Sequence, residues 1–197
     1  MRRQTRQALV ALALTLASAS GAAAQGNGSG DMAMADNTTM VGGQAMFHTR
    51  DIVDNAMNSA DHTTLVAAVK AAGLVETLKG KGPFTVFAPT NAAFMRLPEG
   101  TVPTLLKPAN REQLTKVLTY HVVPGRLDAA ALMKAIDKGD GKATLTTASG
   151  ESLWIMMNGD RNVVVRDATG NVAAISTYDV IQSNGVIHVV DTVLLPN

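Results

Sequence analysis

The chain has 197 residues, 46% hydrophobic and 17% charged, so a packed core is within reach and wholesale disorder is excluded. Seventeen Lys+Arg stand against 16 Asp+Glu, a balance that lacks the basic field a general nucleic-acid binder needs. Cysteine is absent, which excludes disulfides, thiolate catalysis, Cys-type zinc sites, Fe–S clusters and a lipidated N-terminal cysteine.

The N-terminus reads as an address. Arg2, Arg3 and Arg6 form a positive leader, Ala8–Ala17 is an apolar run, and Ala22-Ala23-Ala24 supplies the small residues a signal peptidase reads. The run holds ten residues, whereas a spanning helix needs about 20. Residues 1–24 are therefore expected to be a secretory signal, and the product a soluble periplasmic or extracellular protein without stable membrane insertion. Taking the leader's three arginines from 17 leaves 14 Lys+Arg against 16 Asp+Glu, a formal charge of −2.

Residues 25–45 are rich in Gly, Asn, Ser and Asp, without apolar period, and read as a flexible linker. Met32, Met34 and Met40 in this stretch are soft thioether donors of the kind that hold copper(I). No His or Cys accompanies them closely, so a spacer is the simpler reading.

The third segment, 46–197, has the pattern of a folded domain. Ile52, Val53, Ala56 and Met57 recur at helical spacing, and Asp61–Leu78 follows with Leu65, Val66, Val69 and Ala72 on one face. Gly73 is placed to stop that helix, with a brief turn over Leu74–Leu78 after it. Phe84–Ala88 is a strand signal, and Thr90 is suited to cap a short helix starting at Asn91. Thr101 and Pro103 suit another helical start. Asn110 opens the next helix with Gln113 in the capping-box position, and Leu114, Val117, Leu118 and His121 fall on one side. Asp128 caps a last helix through Ile136. Strands are then expected at Ala143–Thr147, Leu153–Met157, Val163–Asp167, Val172–Thr177 and Val186–Leu195, with hairpin turns at Asn158-Gly159-Asp160 and Ala168-Thr169-Gly170. Helices first and antiparallel strands later make the fold class α+β.

Three segments carry a family resemblance: FTVFAPTNAAF (Phe84–Phe94), VLTYHVVPG (Val117–Gly125) and NGVIHVVDTVLLP (Asn184–Pro196). In this order and spacing they resemble the signature blocks of the fasciclin domain family. The resemblance covers about Phe47 to Asn197. It implies a wedge-like β-sandwich with an N-terminal helical layer. It further implies an exported module of cell adhesion or of matrix or envelope association, whose partner is a cell-surface or matrix protein or a polysaccharide. Some algal relatives bind carotenoids, so carriage of a small apolar ligand such as a lipid or carotenoid is the alternative. The matching Tyr-His pair has been linked to adhesion in the family, which makes Tyr120 and His121 candidate interaction residues.

The same residues have plainer readings. His121 lies on an apolar helix face, and a lone His there is usually a core residue satisfied by one or two hydrogen bonds. His188 shares an inward strand face with Val186 and Val190. Thr90 and Asn91 read as a strand-to-helix joint with local hydrogen bonds. Asp191, on the opposite face from His188, either takes backbone N–H donors or marks a contact site, and is the best exposed candidate. For the carrier alternative, Met95, Met133, Met156 and Met157 are the adaptable apolar residues that could line a groove. No G-x-S-x-G elbow or H-E-x-x-H helix occurs, and His48, His62, His121 and His188 are scattered. The chain is therefore expected to be no enzyme and to need no cofactor or metal. It holds no Arg-Gly-Asp, so integrin binding through that tripeptide is excluded.

Overall fold

The computed structural model describes residues 38–197. The signal over 1–24 and the linker methionines Met32 and Met34 lie outside the described residues. The expected linker ends early, because its last residues form a hairpin. Strand β1 (Thr39–Val41) pairs antiparallel with β2 (Gln44–Met46) across Gly42-Gly43, both at positive φ. Two adjacent positive-φ glycines are what a tight hairpin turn requires. A Cβ on Gly42 would also come within 2.7 Å of Asp61 N and Ser59 Oγ, so the turn is seated against the chain that follows. Val41 and Met46 are buried, which anchors the hairpin; composition hid this because only two of its residues face the core.

Helix α1 (Ile52–Asn58) begins where Asp51 accepts from Asp54 N, at 2.8 Å. Helix α2 (Thr63–Ala72) follows a 3-10 turn over Ala60–His62 and stops at Gly73, whose φ of +73° makes a left-handed cap. Helix α3 (Val75–Lys79) leads into strand β3 (Phe84–Pro89). Helices α4 (Asn91–Met95) and α5 (Thr101–Leu105) are single turns, and α6 (Arg111–Tyr120) packs on α2. The expected capping box at the start of α6 is not formed: Asn110 makes no side-chain cap, and its amide donates to Thr104 O at 2.7 Å. That bond holds the amide toward the preceding turn, and its oxygen caps none of the α6 N–H groups. Strand β4 (Val122–Pro124) and helix α7 (Ala129–Lys138), capped by Asp128 on Ala131 N at 2.8 Å, complete the helical half.

Strands β5 (Lys142–Thr146), β6 (Ser152–Asn158), β7 (Asn162–Arg166), β8 (Val172–Gln182) and β9 (Gly185–Val190) make the rest. The sheet order is β4-β3-β9-β8-β7-β6-β5. Only β3 and β9 are parallel among the described strands, with Phe84 opposite Gly185 and Pro89 opposite Val190. Strand β8 outruns its expected end at Thr177. Register shifts between Ile175 and Thr177 and between Thr177 and Val180 keep it paired to Gln182 while bending it, the usual effect of extra residues in one strand. Its first half pairs with β7 and its second with β9, so the sheet folds over along β8. At the far edges Ala148 N donates to Val122 O at 2.7 Å, tying the segment after β5 to β4. Strand β9, by contrast, stops at Val190, five residues short of expectation.

The result is an α+β wedge with two cores. Inside the folded sheet lie Phe87, Tyr120, Leu132, Leu153, Ile155, Val165, Val190 and Leu194. Between the sheet and the helices lie Ile52, Leu65, Val69, Val86, Ala88, Leu118, Ile187 and Val189. Strands β3 and β9 separate them and alternate strictly: Val86 and Ala88 face the helices and Phe87 the folded interior.

Candidate functional site

The three motif segments carry enclosed polar groups. Tyr120, the last residue of α6, is fully buried; its hydroxyl donates to Ser152 O at 2.8 Å and accepts from Ala168 N at 2.9 Å. Burial pushes this phenol's pKa up. His121 closes α6 and is equally enclosed. Leu194 N donates to its Nε2 at 3.0 Å, so Nδ1 carries the proton and donates to Val117 O at 2.8 Å. Both ring nitrogens are satisfied only in the neutral ring, and burial lowers its pKa to about 4. His188 holds the opposite tautomer. Asp179 N approaches Nδ1 at 3.4 Å and Nε2 donates to Leu127 O at 2.8 Å, with Phe87 stacked at 5.8 Å. Its pKa is also lowered, chiefly by burial.

Thr90 caps α4, accepting from Ala93 N at 3.3 Å. Asn91 reaches across to the start of α2, accepting from Thr64 N at 2.9 Å and donating to Ala60 O at 2.9 Å. It therefore caps a neighbouring helix whose own cap position, His62, makes no such bond. Asp191 ends β9. Its carboxylate accepts from Ala174 N at 2.8 Å and pairs with Arg96 at 3.2 Å, while Arg96 also donates to the Asp191 carbonyl at 2.9 Å. These donors outweigh the desolvation and hold the carboxyl below its ordinary range. Asp191 alone of the three candidate interaction residues reaches solvent, and the three do not share a hollow.

Sequence reasoning missed the polar residues that tie the ends together. Asp167 is buried and accepts from Thr169 N, Asn171 N and Leu195 N at 3.0, 2.8 and 2.9 Å. Asn184 accepts from Ile52 N at 3.1 Å and donates to Leu78 O at 2.8 Å, joining the β8–β9 turn to the helical layer. Asn55 donates to Gln182 in the same region. The Asp-x-Thr-Gly-Asn run at 167–171 was the one legible signal, since a short acid before a turn commonly bonds backbone N–H groups ahead of it.

A cavity of about 50 Å³ lies in the helical-side core, walled by Met46, Ile52, Leu65, Val69, Ile187 and Val189 among others. Ser59, His62, Lys70 and His121 are the polar residues that border it. None of the four methionines expected to line a groove borders this cavity; Met95 lines a separate shallow groove with Phe94, Leu97 and Val102. Met95 is 78% exposed on α4, Met133 is exposed on α7, and Met156 and Met157 lie on β6. Helical and strand periodicity placed each on a face but could not bring separate elements together.

A family model described as Fasciclin domain matches residues 60–196. Protein sll1483 of Synechocystis is 45% identical over 166 residues, 84% of each chain. Cell surface glycolipoprotein MPB83 of Mycobacterium bovis is 34% identical over 167 residues, 82% of this chain and 68% of that one. The solved FAS1 domain pair of the insect cell adhesion molecule Fasciclin I superposes with a TM-score of 0.65 at 18% identity, over 74% of this chain and 51% of the pair. No helix among the described residues is long and apolar enough to cross a membrane.

Proposed function

Because the chain belongs to the fasciclin domain family, we propose that it is an exported, non-catalytic interaction module that helps attach cells to surfaces, matrix or envelope polymer. The observation that carries this reading is the state of the signature residues. Tyr120, His121 and His188 have their polar atoms taken up by backbone partners, and both imidazoles are held neutral. They are scaffold, so recognition falls to the outer surface. There Asp191 and Arg96 form an exposed pair beside Met95, a large apolar side chain left in water. Isolated exposed apolar residues are common, but one flanked by an ion pair and the shallow groove of Phe94, Leu97, Val102 and Pro103 is a reasonable contact face. Similarity to a cell-surface protein and to a domain pair from an adhesion molecule supports the reading.

The test is attachment. Deleting the gene should weaken surface attachment or biofilm cohesion, and purified protein should bind cell-surface polymer through a face that Met95→Glu disrupts without unfolding the domain. Unchanged attachment together with no polymer binding overturns the proposal. Signal cleavage after Ala24 is checked by N-terminal sequencing of the exported protein.

A second reading, carriage of a small apolar molecule, is favoured by one observation: the cavity between the helices and the sheet.

A further inference from the structure

Strands β5 to β8 turn Leu145, Leu153, Ile155, Val165 and Ala173 into the folded interior, and α7 packs on β5 and β6 from that same side through Leu132 and Ile136. Alternation therefore sends Lys142, Thr144, Trp154, Met156, Arg166 and Val172 outward. Trp154 is the one tryptophan of the chain, and it is half-buried on this outer face. It lies directly opposite Thr144 of β5 and Arg166 of β7. Lys142 Nζ stands over its ring, 5.2 Å from the centroid, a contact that fixes an otherwise mobile ammonium. Val164, opposite Met156, is buried yet belongs to neither core, and Val172 is 49% exposed. The outer face thus carries an apolar strip of its own with a cation on each side of the indole. Neither Lys142 nor Arg166 forms an ion pair with another described residue. The nearby acids stand at the strand ends: Asp140 and Asp160 in turns, Glu151 paired with Lys116, and Asp191 paired with Arg96.

We propose that this face binds a carboxylate-bearing polysaccharide, with sugar C–H faces on Trp154 and acid groups on Lys142 and Arg166. It rests on the polymer-binding reading above and adds to it a second face, on β5–β8 rather than α4, and a polymer chemistry. Tryptophan and arginine are the side chains that most often anchor an interface. The guanidinium fork of Arg166 matches a carboxylate through paired N–H bonds, and the Lys142 ammonium meets one as a point charge. Strands β5 and β7 stand two strand spacings apart, about 10 Å, so the two cations reach acid groups on separate sugars of one chain. Thr144 and Thr146, both exposed on the same side of β5, offer hydroxyls that donate to or accept from sugar hydroxyls. Two cations are too few for the dense phosphates of a DNA duplex, or for an anionic membrane, which draws clusters of about 4–8 basic residues. They suit a polymer with spaced charges and apolar ring faces between them.

The test titrates the full-length exported protein with polygalacturonate and follows the fluorescence of its one tryptophan. Fully methyl-esterified polygalacturonate, polyglutamate and duplex DNA serve as comparisons. Polygalacturonate should give a saturable change that weakens in high salt. The ester keeps the sugars without their charge and should bind about tenfold more weakly. Thr144→Glu sets a like charge beside both cations on an exposed strand position and should abolish binding while the thermal midpoint holds. Trp154→Ala should weaken binding by about tenfold, read by co-sedimentation with the polymer because the reporter is gone. Absence of a saturable signal, or binding that Thr144→Glu leaves intact, overturns the site. Equal affinity for the ester, for polyglutamate or for DNA overturns the acidic-polysaccharide assignment. Met95→Glu should leave this titration unchanged. Binding lost to Met95→Glu but not to Thr144→Glu removes this site and keeps the attachment reading. Polygalacturonate bound through Trp154 in a protein whose deletion leaves attachment unchanged keeps the site and removes that reading.

Discussion

The two cores of the wedge are built from the same strands yet differ in finish. On the inner side of β3 and β9, Phe87, Val190, Leu153 and Ile155 interdigitate, and the polar groups among them, Tyr120 and His188, are paired. On the outer side the helices leave a cavity of about 50 Å³, bordered by His62. The sheet-on-sheet side is finished as scaffold, while the helical side retains room. Helices of one to three turns, broken by Gly73, Gly80 and Gly100, cannot follow a bent sheet as closely as strands that share its curvature.

That contrast can be broken most forcefully by truncation. Phe87→Ala should cost about 3–5 kcal/mol of unfolding free energy in urea titration, because a rigid surround cannot collapse on the lost ring. Leu65→Ala, on the cavity wall, should cost nearer ~2 kcal/mol, since its side chain already borders empty space. Equal losses would end the distinction. Acid gives the next largest effect. Burial lowers the His121 pKa from an ordinary 6.5 to about 4, so the unfolded chain binds more protons between these limits. Stability is therefore whole above pH 6.5, falls as pH drops toward 4, and levels below, losing up to about 3 kcal/mol from this group. His62 and His188 are shifted in the same direction and steepen the fall. Urea midpoints measured from pH 7.5 to 3.5 check the slope, and a flat profile contradicts the neutral pairing. Thr90→Ala should remove about 1 kcal/mol by uncapping α4, read as a lower thermal midpoint. Smallest is Arg96→Ala: its pair with Asp191 is exposed on both sides, so the loss should stay within about 1 kcal/mol and shrink in high salt.

Much of the fold was legible because its signals are local. Gly73 stops α2, Thr90 and Asp128 cap their helices, and apolar β-branched runs mark β3, β6, β7 and β9. What escaped was what depends on partners distant in sequence. Asp191 ends β9 because Ala174 and Arg96 claim its carboxylate, and no pattern within 186–195 shows that. Strand β8 runs on past Thr177 because bulges realign it with β9; alternation alone reads the interruption as an end. For the site, the enclosed roles of His121 and His188 followed from their apolar neighbours. His62 gave no warning, since it lies in a 3-10 turn with no period to assign it a face.

The parallel ladder of β3 against β9 has one further consequence. Phe84 lies opposite Gly185, so the middle of the sheet joins positions a hundred residues apart. No shorter piece of the chain can supply that seam, and such distant pairing is slow to form because a long loop must close first. A growing chain thus stays unlocked until nearly its full length has emerged, and a nascent or clipped product ending before residue 185 has no centre around which to set.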